Sequence, residues 1–262
     1  MRKEIRQVDK ERGILQVTTV DERWYVRETQ NKKTGLPIYE YVPSVTWICE
    51  SYPKGIAFFK WLANHGWDES IALRDAAGDK GSKIHYAVNK LMDGDEVKME
   101  DKFLNNSLGA DEELSLEEYR AIMSFVAWFE KVKPNIWARE FNIWGPGYAG
   151  MVDMLCQIED QWWVVDFKTS QYIWPSMELQ LSAYRHEVME KMPDKDVRMA
   201  VLQLGYRKNK RHWKFTEIQD NYEHFLAAKT IWQKEHGREH PRQIEYPLSL
   251  KLELPEPDGE QI

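Results

Sequence analysis

The order of elements along the chain predicts an α/β fold, an αβββαβ core preceded by a β-rich and helical elaboration. Three observations carry that expectation. From Ser115 onward a helical pattern is followed by three strand-like runs, a second helical pattern and a further strand-like run. Apolar residues form 42% of the 262-residue chain and aromatic residues 13%, which suffices for the core of one large domain. No apolar run approaches the roughly 18 residues of a membrane span, so no membrane partner is expected.

The first 43 residues read as a β-rich segment packed on the core: "ILQVTTV", "RWYVRET" and "LPIYEYV" are strand-like, and "NKKTGLP" supplies turn residues between the last two. Residues 44–110 read as a helical lobe. Ser44 is placed to cap the helix in "PSVTWICESYP", "KGIAFFKWLANHG" stops at Gly66, and "DESIALRDAAGDKGSKIHYAVNKLMDG" is long and amphipathic with two internal glycines. The acidic, poorly patterned "EVKMEDKFLNNSLGADEEL" reads as a surface loop. Residues 111–237 hold the core. "SLEEYRAIMSFVAWFEKVKP" opens with capping-box spacing, Ser115 to Glu118, and stops before Pro134. Strands "IWAREFNIW", "YAGMVDMLCQI" and "WWVVDFKTS" follow, then the helix "PSMELQLSAYRHEVMEKM", strands "VRMAVLQLGY" and "HWKFTEI", and a last helix, "NYEHFLAAKTIWQKEHG". Residues 238–262 form a Pro- and Glu-rich tail expected to be extended or mobile.

A formal net charge of −7 argues against a protein that coats nucleic acid non-specifically, an activity that goes with a large basic excess, but leaves room for a local basic groove. The two cysteines, Cys49 and Cys156, are far apart and outside any CxxC spacing, so neither a disulfide framework nor a four-thiolate zinc or iron–sulfur site is available. "MRKEIRQVDKERG" has neither the apolar stretch of a signal peptide nor the acid-poor character of a transit peptide. A soluble protein in a reducing cytoplasm is expected.

One feature resists that core reading: the apolar run "WWVV" ends in Asp166 and Lys168, with Asp153 on the preceding strand. If the two strands form a hairpin turning at Glu159 and Asp160, Asp153 falls opposite Asp166. Opposed residues have Cβ atoms about 4.5–5.5 Å apart, close enough for two carboxylates to share a cation with oxygen ligands at about 2.0–2.1 Å. Strand alternation puts Lys168 on the same face as Asp166. Opposed like charges destabilise a sheet, so the arrangement points to a divalent cation between them. The plainer alternative is an Asp166–Lys168 ion pair or an exposed strand tip.

Asp153 and the Asp166-Phe167-Lys168 triplet, set on the second and third strands of an α-β-β-β-α-β order, resemble the PD-(D/E)XK nuclease superfamily. Within it the chain is similar to the RecB-type exonuclease branch of phage-encoded and mitochondrial-genome-maintenance-like exonucleases. "PSVT" from Pro43, "GSKIH" ending at His85, "ARE" ending at Glu140, "GMVD", "VVDFKTS", and "QLSAY" from Gln180 to Tyr184 occur in that branch's order, over about residues 43 to 206. The lack of a four-cysteine cluster departs from some branches. The resemblance implies a restriction-endonuclease-like core with a central mixed sheet flanked by helices. It also implies one or two Mg²⁺ or Mn²⁺ ions held by Asp153, Asp166, the Phe167 carbonyl and His85.

His85 lies beside the apolar stripe of its helix, on the face of Gly78 and Gly81. Each helical glycine costs about 1 kcal/mol relative to alanine, so a strand or a phosphate backbone is expected to come close there. By itself such a histidine reads as a hydrogen-bonded boundary residue; the GxxxH placement implies the metal. Glu140, alone in a strand, reads as solvent-facing or, by the resemblance, as a ligand, a water-mediated contact or an orienter of the lysine. Gln180 and Tyr184, four apart on one helix face, are implied to brace the site and touch substrate, against a tyrosine simply packed on the sheet. Thr169 and Ser170 either donate to a phosphate or end the strand.

"YRKNKRHWK" carries Arg207, Lys208, Lys210, Arg211 and Lys214 without an acid, flanked by Tyr206 and Trp213. It reads either as a backbone-contacting, base-stacking loop or as a solvated hairpin tip. The expected function is metal-dependent hydrolysis of DNA phosphodiesters by an exonuclease acting on single-stranded or end-processed DNA. Lys168 would orient or help deprotonate the attacking water. The expected setting is the cytoplasm of a bacterial or phage-infected cell, with DNA ends and a recombination or replication protein as partners. Rival readings are a structure-specific flap or branch endonuclease on the same fold and a non-catalytic DNA-end-binding protein. Polarity of digestion, DNA against RNA, and oligomeric state are left open by the sequence.

Overall fold

A computed structural model describes residues 4–19, 22–31, 35, 37–237, 240–242 and 252. Among them the chain is a mixed α/β structure with six helices and three sheets, one of them mixed. Most of the expected tail lies outside the described residues. No described helix is long and apolar enough to cross a membrane.

Four strands open the chain as an antiparallel meander: β1 (Glu4–Asp9), β2 (Ile14–Thr18), β3 (Arg23–Gln30) and β4 (Pro37–Pro43). The charged "EIRQVD" of β1 had no strand pattern of its own; pairing with β2 supplies the order its sequence lacks. Ser44 then caps α1 (Val45–Glu50), its Oγ accepting from the Trp47 N–H at 3.1 Å. Helices α2 (Ile56–His65) and α3 (Trp67–Met92) follow, separated by Gly66 at φ 76°, a conformation that favours glycine.

The expected surface loop after α3 contains a hairpin, β5 (Lys102–Asn105) with β6 (Ala110–Glu113). One of its acids is tied to α3: Lys83 sits 3.3 Å from Glu112. Helix α4 (Leu116–Val132) opens with both halves of the expected capping box, Ser115 with Glu118, and ends at Lys133 before Pro134.

The central sheet contains β7 (Asn135–Gly145), β8 (Tyr148–Ile158), β9 (Gln161–Lys168), β10 (Val197–Leu204) and β11 (Trp213–Glu217), in the order β11-β10-β9-β8-β7. β9 and β10 run parallel and the other neighbours antiparallel. A parallel pair needs a long crossover, here α5 (Pro175–Lys191); α6 (Tyr222–His236) follows β11. Both faces of the sheet are covered, which is why "WWVV" is continuously apolar rather than alternating. Leu155, Val164, Met199 and Val201 join the core shared with α1, α5 and α6, whereas Met154, Val165, Phe167, Ala200 and Leu202 join the core shared with α3 and α4. Trp213 belongs to that second core and is buried, which removes it from the aromatic surface expected beside the basic loop.

Candidate active site

The β8–β9 ladder runs from Ile158–Gln161, around the two-residue turn of Glu159 and Asp160, to Met154–Val165, and there it ends. This register points the next position, Asp153, at Asp166. Past that point β8 stays with β7 and β9 with β10, so the two strands part. The Phe167 N–H, freed from the ladder, donates to Asp153 Oδ2 at 2.7 Å. Glu140 of β7 lies between the Arg139–Met154 and Phe141–Val152 pairs, level with Asp153. Three acids therefore succeed one another on neighbouring strands. Glu140 is half-buried with φ at 41°, a left-handed backbone that costs a non-glycine residue of order 1–3 kcal/mol and recurs at functional sites.

The Asp166 side chain is 3% exposed. Its Oδ1 accepts from Gln180 Nε2 at 3.1 Å, and its Oδ2 lies 2.6 Å from Lys168 Nζ. Oδ2 is buried, and the Lys168 ammonium is its partner. Gln180 also donates to the Tyr184 hydroxyl at 3.1 Å and accepts from Lys168 Nζ at 3.4 Å, so one amide links lysine, aspartate and tyrosine. The Tyr184 ring fits because residue 150 is glycine: a Cβ there would stand 2.5 Å from Tyr184 Cε1.

Charge is in tension here. Burial pushes the Asp153 carboxyl up to about 6; the Asp166 charge adds to this, while His85, Lys168 and the Phe167 N–H oppose it. Burial alone would lower the Lys168 ammonium, but Asp166 and Asp153 outweigh it and hold the group above its ordinary value. Lys168 is thus a charged donor, which favours orienting and electrostatic work over proton abstraction. Burial, reinforced by Tyr25 and the two aspartates, holds the Tyr184 hydroxyl well above its usual range, so it stays neutral.

His85 reaches the site from α3, but its ring is engaged. Nε2 donates to the Phe167 carbonyl at 3.0 Å, and Nδ1 lies 3.5 Å from Asp153 Oδ1. It bridges the two groups it was expected to join as a ligand, and in this arrangement it positions them. The close approach expected at its helical glycines is slight. A Cβ at Gly81 would stand 3.9 Å from Thr169 Oγ1, and one at Gly78 would meet nothing. The Ser170 hydroxyl is donated to the Tyr172 carbonyl at 2.6 Å. That leaves Thr169 as the freer hydroxyl of the two.

Among the described residues no three His, Cys, Asp or Glu side chains converge to hold a metal ion by themselves. Magnesium does not require such a cage: it is commonly bound through one or two carboxylates, with water and substrate phosphates completing the shell. Two carboxylates and an adjacent main-chain carbonyl fit that donor set. The oxygen-rich set suits a hard cation better than zinc.

The basic loop lies along the same end of the sheet, since Gln203 of β10 pairs with Lys168. Arg207 is bound to Glu117, which also holds Lys80 at 2.6 Å, so it anchors the loop to α4. Lys208, Lys210 and Arg211 are exposed. Sequence reasoning missed Tyr172 and Trp174, which stand exposed just beyond the lysine strand. No protein-family model matches the chain, and no curated protein matches it.

Proposed function

We propose that the chain is a divalent-cation-dependent deoxyribonuclease of the PD-(D/E)XK type on a restriction-endonuclease-like core, acting as an exonuclease on single-stranded or end-processed DNA. The observation that carries the reading is that the β8–β9 register aims Asp153 at Asp166 where the strands part and the Asp166 charge acts on Asp153, with Lys168 on Asp166. A structural ion pair would need only Asp166 and Lys168. It would not need a second carboxylate in register with a raised pKa.

A Mg²⁺ or Mn²⁺ ion held by Asp153, Asp166 and the Phe167 carbonyl would neutralise phosphate charge and acidify a water. Lys168 would hold that water in line and donate to the charge developing on phosphorus-bound oxygens. Gln180 fixes the ammonium and carboxylate relative to each other, and His85 fixes the Phe167 carbonyl and Asp153. Glu140, level with Asp153, would orient water or cation from the next strand. The exonuclease preference, the cytoplasmic setting and a recombination or replication partner rest on the resemblance to RecB-type exonucleases.

The test is digestion of end-labelled linear and circular single strands in Mg²⁺, with EDTA as control. Loss of the linear strand only, abolished by EDTA and by Lys168→Ala, is the expected result. Cleaved circles would indicate an endonuclease, and DNA binding without any cleavage an end-binding protein. Undiminished digestion by Lys168→Ala would refute the assignment of the lysine.

A further inference from the structure

The segment that follows Lys168 alternates inward and outward. Ile173 packs against the core, while Tyr172 and Trp174 stand 59% and 52% exposed with ring centroids 6.0 Å apart. Isolated exposed aromatics are ordinary on a protein surface. These two are held in place. Gln171 accepts from the Arg207 N–H at 2.8 Å and donates to the Gly205 carbonyl at 3.1 Å, and Gln203 donates to the Ser170 carbonyl at 2.8 Å. The aromatic segment and the basic loop are thereby joined into one ridge. Across the joint the Lys208 ammonium sits 4.2 Å from the Tyr172 ring centroid. The loop from Tyr206 to Lys214 contains no acid.

We propose that Tyr172 and Trp174, with Lys208 over the Tyr172 ring, form a stacking platform for unpaired bases of a DNA strand beside the candidate active site. The proposal deepens the nuclease reading and rests on it for the strand's purpose there. Two observations select the ligand. Exposed aromatic rings, one of them carrying a lysine ammonium on one face, match the mixture of base and phosphate along a single strand, where aromatic stacking supplies affinity and cations track the backbone. In a duplex the bases already stack on one another, so the same rings would have no face to engage. The ridge begins four residues beyond Lys168, within about 14 Å of extended chain, so a strand resting on it would pass the paired carboxylates.

The test is fluorescence anisotropy with a labelled oligothymidylate of about 12 nucleotides, a matching abasic strand and a blunt duplex. EDTA is present throughout, so binding is read without cleavage. Tyr172→Ala and Trp174→Ala should each weaken oligothymidylate binding about 5- to 150-fold, and Trp174→Phe should retain most of the affinity. On the abasic strand the alanine variants should match the unsubstituted protein. Lys208→Ala should weaken both strands alike. Equal loss on thymidylate and abasic strands, wild-type affinity in the alanine variants, or tighter binding of blunt duplex than of single strand would overturn the platform. Aromatic-dependent binding without any Mg²⁺- or Mn²⁺-dependent cleavage would overturn the nuclease reading and leave the platform standing. Cleavage without aromatic dependence would overturn the platform alone.

Discussion

Asp153 feels the charge of Asp166 across the parted strands, yet the surroundings of the two acids treat them differently. Asp153 has its carboxyl raised to about 6, first by burial. A carboxyl whose folded value lies above its ordinary 3.8 favours the folded protein at low pH. That contribution is complete below about 4 and is lost as pH rises through about 6. Thermal melts in EDTA should therefore show Asp153→Asn flattening the decline in stability across that window; an unchanged slope would count against the buried, repelled carboxylate. Asp166 is the converse case. Opposed carboxylates alone suggest that removing one would relieve repulsion, but Asp166 holds the Lys168 ammonium at 2.6 Å. Asp166→Ala strips a buried charge of its partner, so we expect destabilisation of about 3 kcal/mol in metal-free denaturant unfolding. A gain in stability would show that the repulsion dominates.

Helix α3 carries His85 to the strand ends, and Lys83, two residues earlier, ties that helix to α4. Lys83 Nζ lies 2.9 Å from Glu118 of the α4 capping box, with both side chains almost fully enclosed. Lys83→Met leaves that carboxylate buried without its partner and should cost about 3–5 kcal/mol in chemical denaturation, with Lys83→Arg largely restoring it. Equal stability of the methionine variant would mean that Glu118 is satisfied by its cap alone. The elements differ in how far the sequence reveals them. The β8–β9 register was legible because a two-residue turn and strand alternation fix it locally. So were the Ser44 cap and the Ser115–Glu118 box, which are local hydrogen-bond patterns. The β5–β6 hairpin was hidden because its strands are acidic and short, and one of its acids, Glu112, is tied to a lysine 29 residues away. The exposure of Tyr172 and Trp174, and the burial of Trp213, depend on which elements pack over them, and no local spacing encodes that. The resemblance placed His85 near Asp153 and Phe167, but its hydrogen bond to the Phe167 carbonyl depends on where α3 crosses the strand ends.

At the scale of the whole molecule, a net charge of −7 coexists with an acid-free basic loop beside the candidate site. Under the proposed nuclease reading, such a chain would repel DNA over most of its surface and accept it along one edge, which suits engagement of a strand end better than coating of a duplex. Asp153 and Asp166 lie where β8 leaves β9, Lys168 and Gln180 contact Asp166 there, and His85 of α3 contacts Asp153. The central claim is that this meeting point binds a divalent cation. Calorimetric titration of Mn²⁺ into the protein, with a short single strand present to contribute phosphate oxygens, tests it most directly. The account predicts saturable binding that is lost in Asp153→Asn and in Asp166→Asn and retained in Lys168→Ala. Absence of Mn²⁺ binding by the unsubstituted protein, or equal binding by both asparagine variants, would contradict it.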